Sequence, residues 1–316
     1  VINICSKITG GNKLKSTYRD TLHACYLGYI TQAIVNNLAP LLFVIFHDNF
    51  SISFEKIGRL ILINFTTQII TDILAIKYVD RVGYRSAAVL AHFFAFFGLV
   101  GLGVLPLLLP NAYTGLAIAV IIYAIGGGLI EVIISPIVES LPGDAKASAM
   151  SLLHSFYCWG QLAVVFITTL IIKIFGNHAW NILPILWAII PAYNLFKFMR
   201  VPLMPIISEE ERIPIKGLLS SHLFIIALVL MMSAGASELT MSQWSSLFAE
   251  KGLKVSKLVG DLLGPALFAF FQASGRTIYG IWGHKIDLRK ALMASSILCI
   301  ICYGVTVFVQ LPIMAL

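Results

Sequence analysis

The sequence predicts an all-α integral membrane protein with nine complete transmembrane helices. Hydrophobic residues make up 59% of the 316 residues and charged residues only 12%. The mean hydropathy is +0.90, far above the values typical of soluble domains. Nearly uncharged stretches of about 18 residues or more, each able to cross a hydrocarbon core of ~30 Å, recur along the whole chain. Basic residues concentrate in alternate connections between these stretches, as in multi-pass proteins.

The nine predicted spans follow one another through short connections. Each is an apolar stretch that is long enough to cross the bilayer as a helix. They cover residues 21–46, 57–77, 86–108, 113–138, 147–173, 179–199, 218–248, 256–282 and 288–310. The chain starts with Val1 and stops where a tenth span would begin. We therefore expect a fragment of a longer protein.

The distribution of lysine and arginine predicts the orientation. If the N-terminus and every second loop are cytoplasmic, 16 of the 22 basic residues lie on that side. Cytoplasmic loops carry such an excess. We expect a multi-pass protein of the plasma (inner) membrane with a cytoplasmic N-terminus. The net charge of +7 then reflects topology, because a nucleic-acid-binding protein would need a clustered soluble basic patch.

A polar connection divides the chain into two parts. We expect residues 1–199 to form a six-helix bundle and 200–216 a cytoplasmic linker. Residues 217–316 are then an incomplete second bundle, with spans 7–9 and the start of a tenth. The loops DRVGYR, residues 80–85, and HKIDLR, residues 284–289, follow spans 2 and 8 in matching places. This similarity indicates an internal repeat of six spans in the same orientation.

Polar residues recur at helical spacing in spans 1, 2, 4, 5, 7 and 8, whereas spans 3 and 9 carry almost none. Within one span, residues three, four or seven positions apart share a face. A bundle in which the first two helices of each triplet line a water-filled pathway would produce this pattern. The stripes contain Tyr29, Gln32 and Asn36; Asn64, Gln68 and Thr71; Gly127, Glu131 and Ser135; His154, Tyr157 and Gln161; Glu238, Ser242 and Ser245; and Gln272, Arg276 and Tyr279.

Glu131 is the only charged residue in residues 117–138. A bare charge at bilayer depth costs several kcal/mol, roughly 2.5–3.5 on insertion scales, so such residues are rare and usually functional. One interpretation is a protonated glutamate that pairs with a neighbouring helix. The other, which we favour, is a carboxylate that binds a proton or substrate in a water-filled cavity.

Two motifs resemble known transporters. The loop DRVGYR resembles the D-R-x-G-R-[RK] signature of the major facilitator superfamily, although Tyr84 replaces a basic residue. Residues 127–160, GGLIEVIISPIVESLPGDAKASAMSLLHSFYCWG, and the NNL run at 36–38 resemble the fucose–galactose–glucose:proton symporter branch, whose members include fucose permeases. The chain departs from that branch at Pro40, which stands where the family has an aspartate, and at His154 and Tyr157, which replace a glutamine and an asparagine.

The resemblance implies a major facilitator fold, with nine of an expected twelve spans present. It also implies that Glu131 is a sugar-linked proton carrier, and that the loop after span 2 latches one conformation. The candidate substrate- or proton-binding residues are Glu131, Asn36, Asn37, His154, Tyr157, Gln161, Glu238, Gln243 and Gln272. The candidate latch residues are Asp80, Arg81, Gly83 and Arg85.

The favoured function is secondary active transport by alternating access, with proton-coupled symport of a sugar or a similar small polar solute. The alternative is proton-coupled efflux of a cationic or amphipathic compound, and a membrane-embedded enzyme or a non-transporting receptor has less support. The expected partners are the solute, protons and the lipid bilayer, with no nucleic acid, and the protein is expected to be a monomer and not an enzyme. Because the seven histidines and five cysteines lack ligand spacing, we expect no metal and no cofactor.

Overall fold

A computed structural model describes residues 16–142, 146–204, 215–283 and 286–308. Every element in these ranges is a helix, which confirms the predicted all-α class. Eight of the described helices are long and apolar enough to cross a membrane, and a bent pair raises the number to nine if it forms one span. The architecture is therefore that of a multi-pass membrane protein.

The first part of the chain forms the predicted spans 1–6. The first span is bent by 44° between its two helices, close to Pro40, whose ring removes a backbone donor and bends helices. Gly83, with φ of 86°, makes the tight turn between the second and third spans, because glycine adopts positive φ without a Cβ clash. The elements are α1 (Ser16–Leu41), α2 (Phe43–Phe50), α3 (Phe54–Val82), α4 (Tyr84–Leu108), α5 (Ala112–Ser140), α6 (Lys146–Phe175), a 3-10 turn (Asn177–Asn181), α7 (Ile182–Trp187) and α8 (Ile189–Arg200).

The second part forms the predicted spans 7–9. Two of these spans contain a π-helical turn, at Phe248–Gly252 and at Leu262–Ala266. Residues 205–214 of the predicted linker, and those from 309 onward, lie outside the described ranges. The predicted domain boundaries therefore stay a prediction. The helices are α9 (Ile215–Leu219), α10 (His222–Leu247), α11 (Lys257–Asp261), α12 (Leu267–Trp282) and α13 (Leu288–Phe308).

Glycines bring α4 and α5 into backbone contact. A Cβ built on Gly98 would lie 2.3 Å from the backbone nitrogen of Tyr123, and one on Gly126 would lie 2.6 Å from the carbonyl oxygen of Ala91. Small residues allow this close approach where lipid supplies little driving force for helix association. The contact fixes the rotation of α5, and with it the direction in which Glu131 points.

The helix α6 packs along the second part of the chain. Near one end, Ser151 Oγ donates a hydrogen bond of 2.8 Å to the Arg276 carbonyl oxygen, and near the other, Thr169 Oγ1 donates one of 2.8 Å to Asp261. The N-terminal part of α10 is exposed, with Leu223 at 78%, whereas Gln243 at its other end is buried. The two parts therefore meet along α6 and at the C-terminal end of α10.

Candidate functional site

Glu131 lies in the second half of α5, and it is exposed although the helix around it is apolar. Its Oε2 accepts a hydrogen bond of 3.4 Å from Gln32 Nε2 of α1. The carboxylate also interacts electrostatically with Glu238 of α10. Because α10 belongs to the second part of the chain, Glu131 faces the space between the two parts.

Four buried amide side chains of α1 and α3 form a network next to Glu131. Gln32 Nε2 donates to Gln68 Oε1 at 3.2 Å. Gln68 Nε2 donates to Asn36 Oδ1 at 2.7 Å and to Asn64 Oδ1 at 3.1 Å, and Asn64 Nδ2 donates to Asn36 Oδ1 at 3.3 Å. Buried amides require such partners, because an unpaired polar group costs free energy in an apolar surrounding. The network ties the polar faces of the first two spans together.

Aromatic and polar side chains of α1, α5 and α6 border the same region. The Tyr29 hydroxyl is 2.9 Å from Ser135 Oγ, and its ring packs edge-on against His154 at 4.8 Å between centroids. Asn37 Nδ2 donates a hydrogen bond of 3.2 Å to the Tyr157 hydroxyl. The sequence-predicted residues of these three helices thus come together.

The second part of the chain contributes Glu238, Gln243, Gln272 and Arg276. Arg276 lies 3.5 Å from Glu238 and interacts electrostatically with His154 and Tyr29. Gln243 Nε2 donates a hydrogen bond of 3.1 Å to the Asn36 carbonyl oxygen. Gln272 Oε1 accepts one of 3.1 Å from Cys158 Sγ. These side chains border the space that Glu131 faces.

Among the candidate binding residues, two buried side-chain atoms have no hydrogen-bond partner within the described ranges. They are the Oδ1 atom of Asn37 and the Nε2 atom of Gln161. Gln161 lies one turn after Tyr157 on α6 and stands apart from the amide network of α1 and α3. A buried polar atom without a partner is costly, and a polar ligand that reached it would supply the missing hydrogen bond.

Comparison with known proteins identifies the family. Residues 25–316 match the family model described as Major Facilitator Superfamily. The chain belongs to the Major Facilitator Superfamily. It is therefore a membrane transporter of a small molecule and not an enzyme. None of the curated proteins compared with the sequence matches it.

Solved superfamily structures share this fold at low sequence identity. A D-xylose–proton symporter has a TM-score of 0.58 at 17% identity, covering 83% of this chain and 67% of that one. The inward-open xylose transporter XylE from E. coli has a TM-score of 0.56 at 15% identity, covering 84% and 68%. A POT family transporter with a thioalcohol-conjugated peptide has a TM-score of 0.52 at 16% identity, covering 83% and 68%. These matches establish the fold, and the fucose permease-like branch stays a prediction.

The superfamily signature loop makes its described contacts within the first part of the chain. The Arg85 guanidinium donates hydrogen bonds of 2.9 Å to the carbonyl oxygens of Phe198 and Met199 at the end of α8. Arg81 is exposed, and Gly83 makes the turn. The side chain of Asp80 lies outside the described residues, so a latch to the second part of the chain stays a prediction.

Gln32, Asn64 and Gln68 lie on the predicted polar stripes but are not among the predicted site residues. Asn64 and Gln68 donate hydrogen bonds to Asn36, and Gln32 donates one to Glu131. Asp261, which is fully buried, was not predicted either. Thr169, Ser246 and Lys257 donate hydrogen bonds to its carboxylate. The sequence feature that could have identified Asp261 is Lys257, four residues before it in the same predicted span, because this is the spacing of a helical ion pair.

Proposed function

We propose that this transporter works by alternating access and couples the movement of protons to that of a sugar or a similar small polar solute. The observation that carries the proposal is the position of Glu131. Glu131 is exposed in the second half of an apolar helix, its carboxylate faces the second part of the chain, and it contacts a buried amide network. Intramembrane carboxylates in such places are typical of ion and proton pathways.

Protonation is the simplest way to neutralise Glu131. No basic side chain forms an ion pair with it in the described part of the chain, where Arg276 pairs with Glu238 instead. Its charged neighbours include Glu238, a second carboxylate, which adds repulsion. A proton neutralises Glu131 before the transporter closes the site to water. Because the protonation state of Glu131 then affects solute binding, the affinities for the proton and the solute become linked.

Unpaired amide groups support a solute rich in hydroxyls. Asn37 Oδ1 can accept a hydrogen bond and Gln161 Nε2 can donate one, and the hydroxyl groups of a solute can both donate and accept. A site built for such hydrogen bonds rejects solutes that lack them. The two xylose transporters among the similar structures also support a sugar.

The remaining parts of the proposal concern the arrangement in the membrane. We propose a monomer in the plasma membrane with a cytoplasmic N-terminus, since basic residues concentrate in the loops on that side. Residues 1–199 and 217–316 would move against each other, with 200–216 as the linker. The buried end of α10 and the contacts along α6 are the surfaces at which that movement takes place.

Transport into proteoliposomes tests the proposal. The purified protein is reconstituted, and uptake of radiolabelled sugars is measured with and without an inward proton gradient. We expect a sugar to accumulate only with the gradient, and a protonophore to abolish the accumulation. Uptake that ignores the gradient would contradict proton coupling. Proton-driven extrusion of a cationic dye, with no sugar uptake, would favour the efflux alternative.

A further inference from the structure

A surface groove of about 430 Å³ lies between the start of α4 and the end of α8. We call it the α4–α8 groove. Leu90 and Phe93 are each 43% exposed in it, and Met199 is 48% exposed, so the groove is open to the surroundings of the protein. Five lining residues belong to α4 and one to α8: Arg85, Ser86, Val89, Leu90, Phe93 and Met199.

The α4–α8 groove has a polar end and an apolar end. Arg85 and Ser86 lie in the first turn of α4, where the chain enters a membrane span. Val89 follows Ser86 by about one helical turn and Phe93 by about two, so apolar surface extends for ~10 Å along the helix. A groove that is charged at the end of a span and apolar further along it matches a molecule with a polar head and a hydrocarbon tail.

Arg85 is held in place at the polar end. Its Nη1 donates hydrogen bonds of 2.9 Å to the carbonyl oxygens of Phe198 and Met199. The N–H donors on Nε and Nη2 take no part in these two bonds, and Arg85 is exposed. Guanidinium groups form strong charge-assisted hydrogen bonds with phosphate oxygens. Arg85 can therefore stabilise the contact with α8 and bind a phosphate group at the same time.

The charge at the polar end favours a ligand with a net negative charge. None of the described residues that line the groove is acidic. Arg81, which precedes the turn at Gly83, and Arg200, which directly follows Met199, are both exposed. Basic pockets between membrane spans bind anionic lipid headgroups, whereas a zwitterionic headgroup has no net charge to be attracted.

We propose that the α4–α8 groove binds an anionic phospholipid, with its phosphate at Arg85 and Ser86 and an acyl chain along Val89 and Phe93. A phosphate ion alone would use only the polar end, and the apolar end is the reason to assign a lipid. The site lies within the first part of the chain and is separate from the residues around Glu131. It is therefore independent of the proposed transport function.

Native mass spectrometry of the purified protein in detergent tests the proposal. Phosphatidylglycerol, phosphatidylcholine with the same acyl chains, and glycerol phosphate are titrated separately and in competition. We expect phosphatidylglycerol to bind at least about fivefold more tightly than phosphatidylcholine, the effect of about one charge near a membrane surface. We also expect that glycerol phosphate does not displace it.

Ser86 allows the charge to be changed alone. Ser86→Asp places a negative charge at the polar end and should weaken phosphatidylglycerol binding at least about fivefold. An acidic residue in the first turn stabilises a helix, so this substitution preserves α4. Ser86→Asn is the matched control, because its side chain has nearly the same shape without the charge.

Val89 allows the apolar end to be filled. Val89→Trp should weaken phosphatidylglycerol binding as well, because the indole ring occupies the place of the acyl chain. Leu107→Trp is the matched control, at a position that is 56% exposed near the other end of α4. Thermal unfolding of the four variants shows that each is folded, and either pair decides the proposal by itself.

Equal binding of phosphatidylglycerol and phosphatidylcholine would overturn the proposal, as would equal binding to Ser86→Asp and Ser86→Asn. Displacement by glycerol phosphate would show a site for free phosphate and not for a lipid. Binding to Val89→Trp at full strength would exclude the acyl chain from the groove. None of these measurements uses transport, so their failure leaves the proposed function unaffected.

Discussion

The side chain of Gln243 in α10 donates a hydrogen bond of 3.1 Å to the backbone carbonyl oxygen of Asn36 in α1. The side chain of Asn36 in turn accepts a hydrogen bond from Gln68, which accepts one from Gln32, the donor to Glu131. One chain of hydrogen bonds therefore joins the intramembrane carboxylate to the contact between the two parts of the protein. A change at Glu131 can reach that contact through side chains that are all buried.

Replacing Glu131 by glutamine should separate coupling from solute binding. Glu131→Gln mimics the protonated side chain, so the variant should lose gradient-driven accumulation and keep exchange of labelled for unlabelled solute. Uptake and counterflow in proteoliposomes measure the two activities. Glu139→Gln, an exposed position at the end of the same helix, is the control and should behave as the wild type. A Glu131→Gln protein that still concentrates solute in response to a pH gradient would remove Glu131 from the mechanism.

Removing the amide of Gln243 should loosen the contact between the two parts. A hydrogen bond of this kind contributes about 0.5–1.5 kcal/mol. Gln243→Leu should therefore shift the conformational equilibrium by up to about tenfold towards a conformation in which the C-terminal end of α10 is separated from α1. Spin labels at the exposed positions Asn49 and Lys254 report the separation by a longer distance. Thr240→Val, which removes only a hydrogen bond to the Ala236 carbonyl oxygen within α10, is the control. An unchanged distance distribution in Gln243→Leu would count against the contact.

Loss of the buried charge at Asp261 should destabilise the protein. Its carboxylate is 3.0 Å from Lys257 Nζ and fully buried, and breaking a buried pair costs about 3–5 kcal/mol because the partner charge remains. Asp261→Asn should therefore lower the midpoint of thermal unfolding clearly. Asp287→Asn, at an exposed pair with Lys290 at 3.8 Å, should change it little, as surface pairs do. Equal effects of the two substitutions would contradict this ranking.

Arg85 and Arg81 should differ although both belong to the signature loop. Arg85 donates two hydrogen bonds through Nη1 to the end of α8, and a lysine ammonium, on a more flexible stem, loses more conformational freedom for each hydrogen bond that it forms. We expect Arg85→Lys to lower the free energy of unfolding by about 1 kcal/mol, and the exposed Arg81→Lys to leave it nearly unchanged. Chemical unfolding of both variants measures the difference. A larger loss for Arg81→Lys would show that its contacts matter more.

Single cysteines should test the orientation. In a variant without the five native cysteines, Pro142→Cys and Ser256→Cys introduce thiols at exposed positions of two loops. The positive-inside pattern predicts that an impermeant reagent outside the cell labels the cysteine at position 256 and not the one at 142. Labelling of both from the same side would reject the proposed topology.

The spans were predictable because hydropathy acts residue by residue. The predicted span 113–138 corresponds to α5, Ala112–Ser140, and the predicted span 288–310 to α13, Leu288–Phe308. Inside a bilayer each backbone group must be satisfied within its own helix, so a long apolar run is sufficient to specify one. The bend of the first span at Leu42 was not predicted, although Pro40 marks its place. A proline allows a bend, and packing of the neighbouring helices sets its size.

The sequence by itself determined the class of the protein, the positions of the spans in the described part of the chain and the face of each helix that is polar. Periodicity placed Asn36, Glu131 and Tyr157 on such faces, because residues three or four apart share a side of a helix. Only the tertiary structure decided which faces meet. The pairing of Gln68 with Asn36, and of Gln243 with the Asn36 carbonyl oxygen, depends on how each helix is rotated. That rotation follows from contacts between distant residues, such as Gly98 against Tyr123, and no pattern within one span contains them.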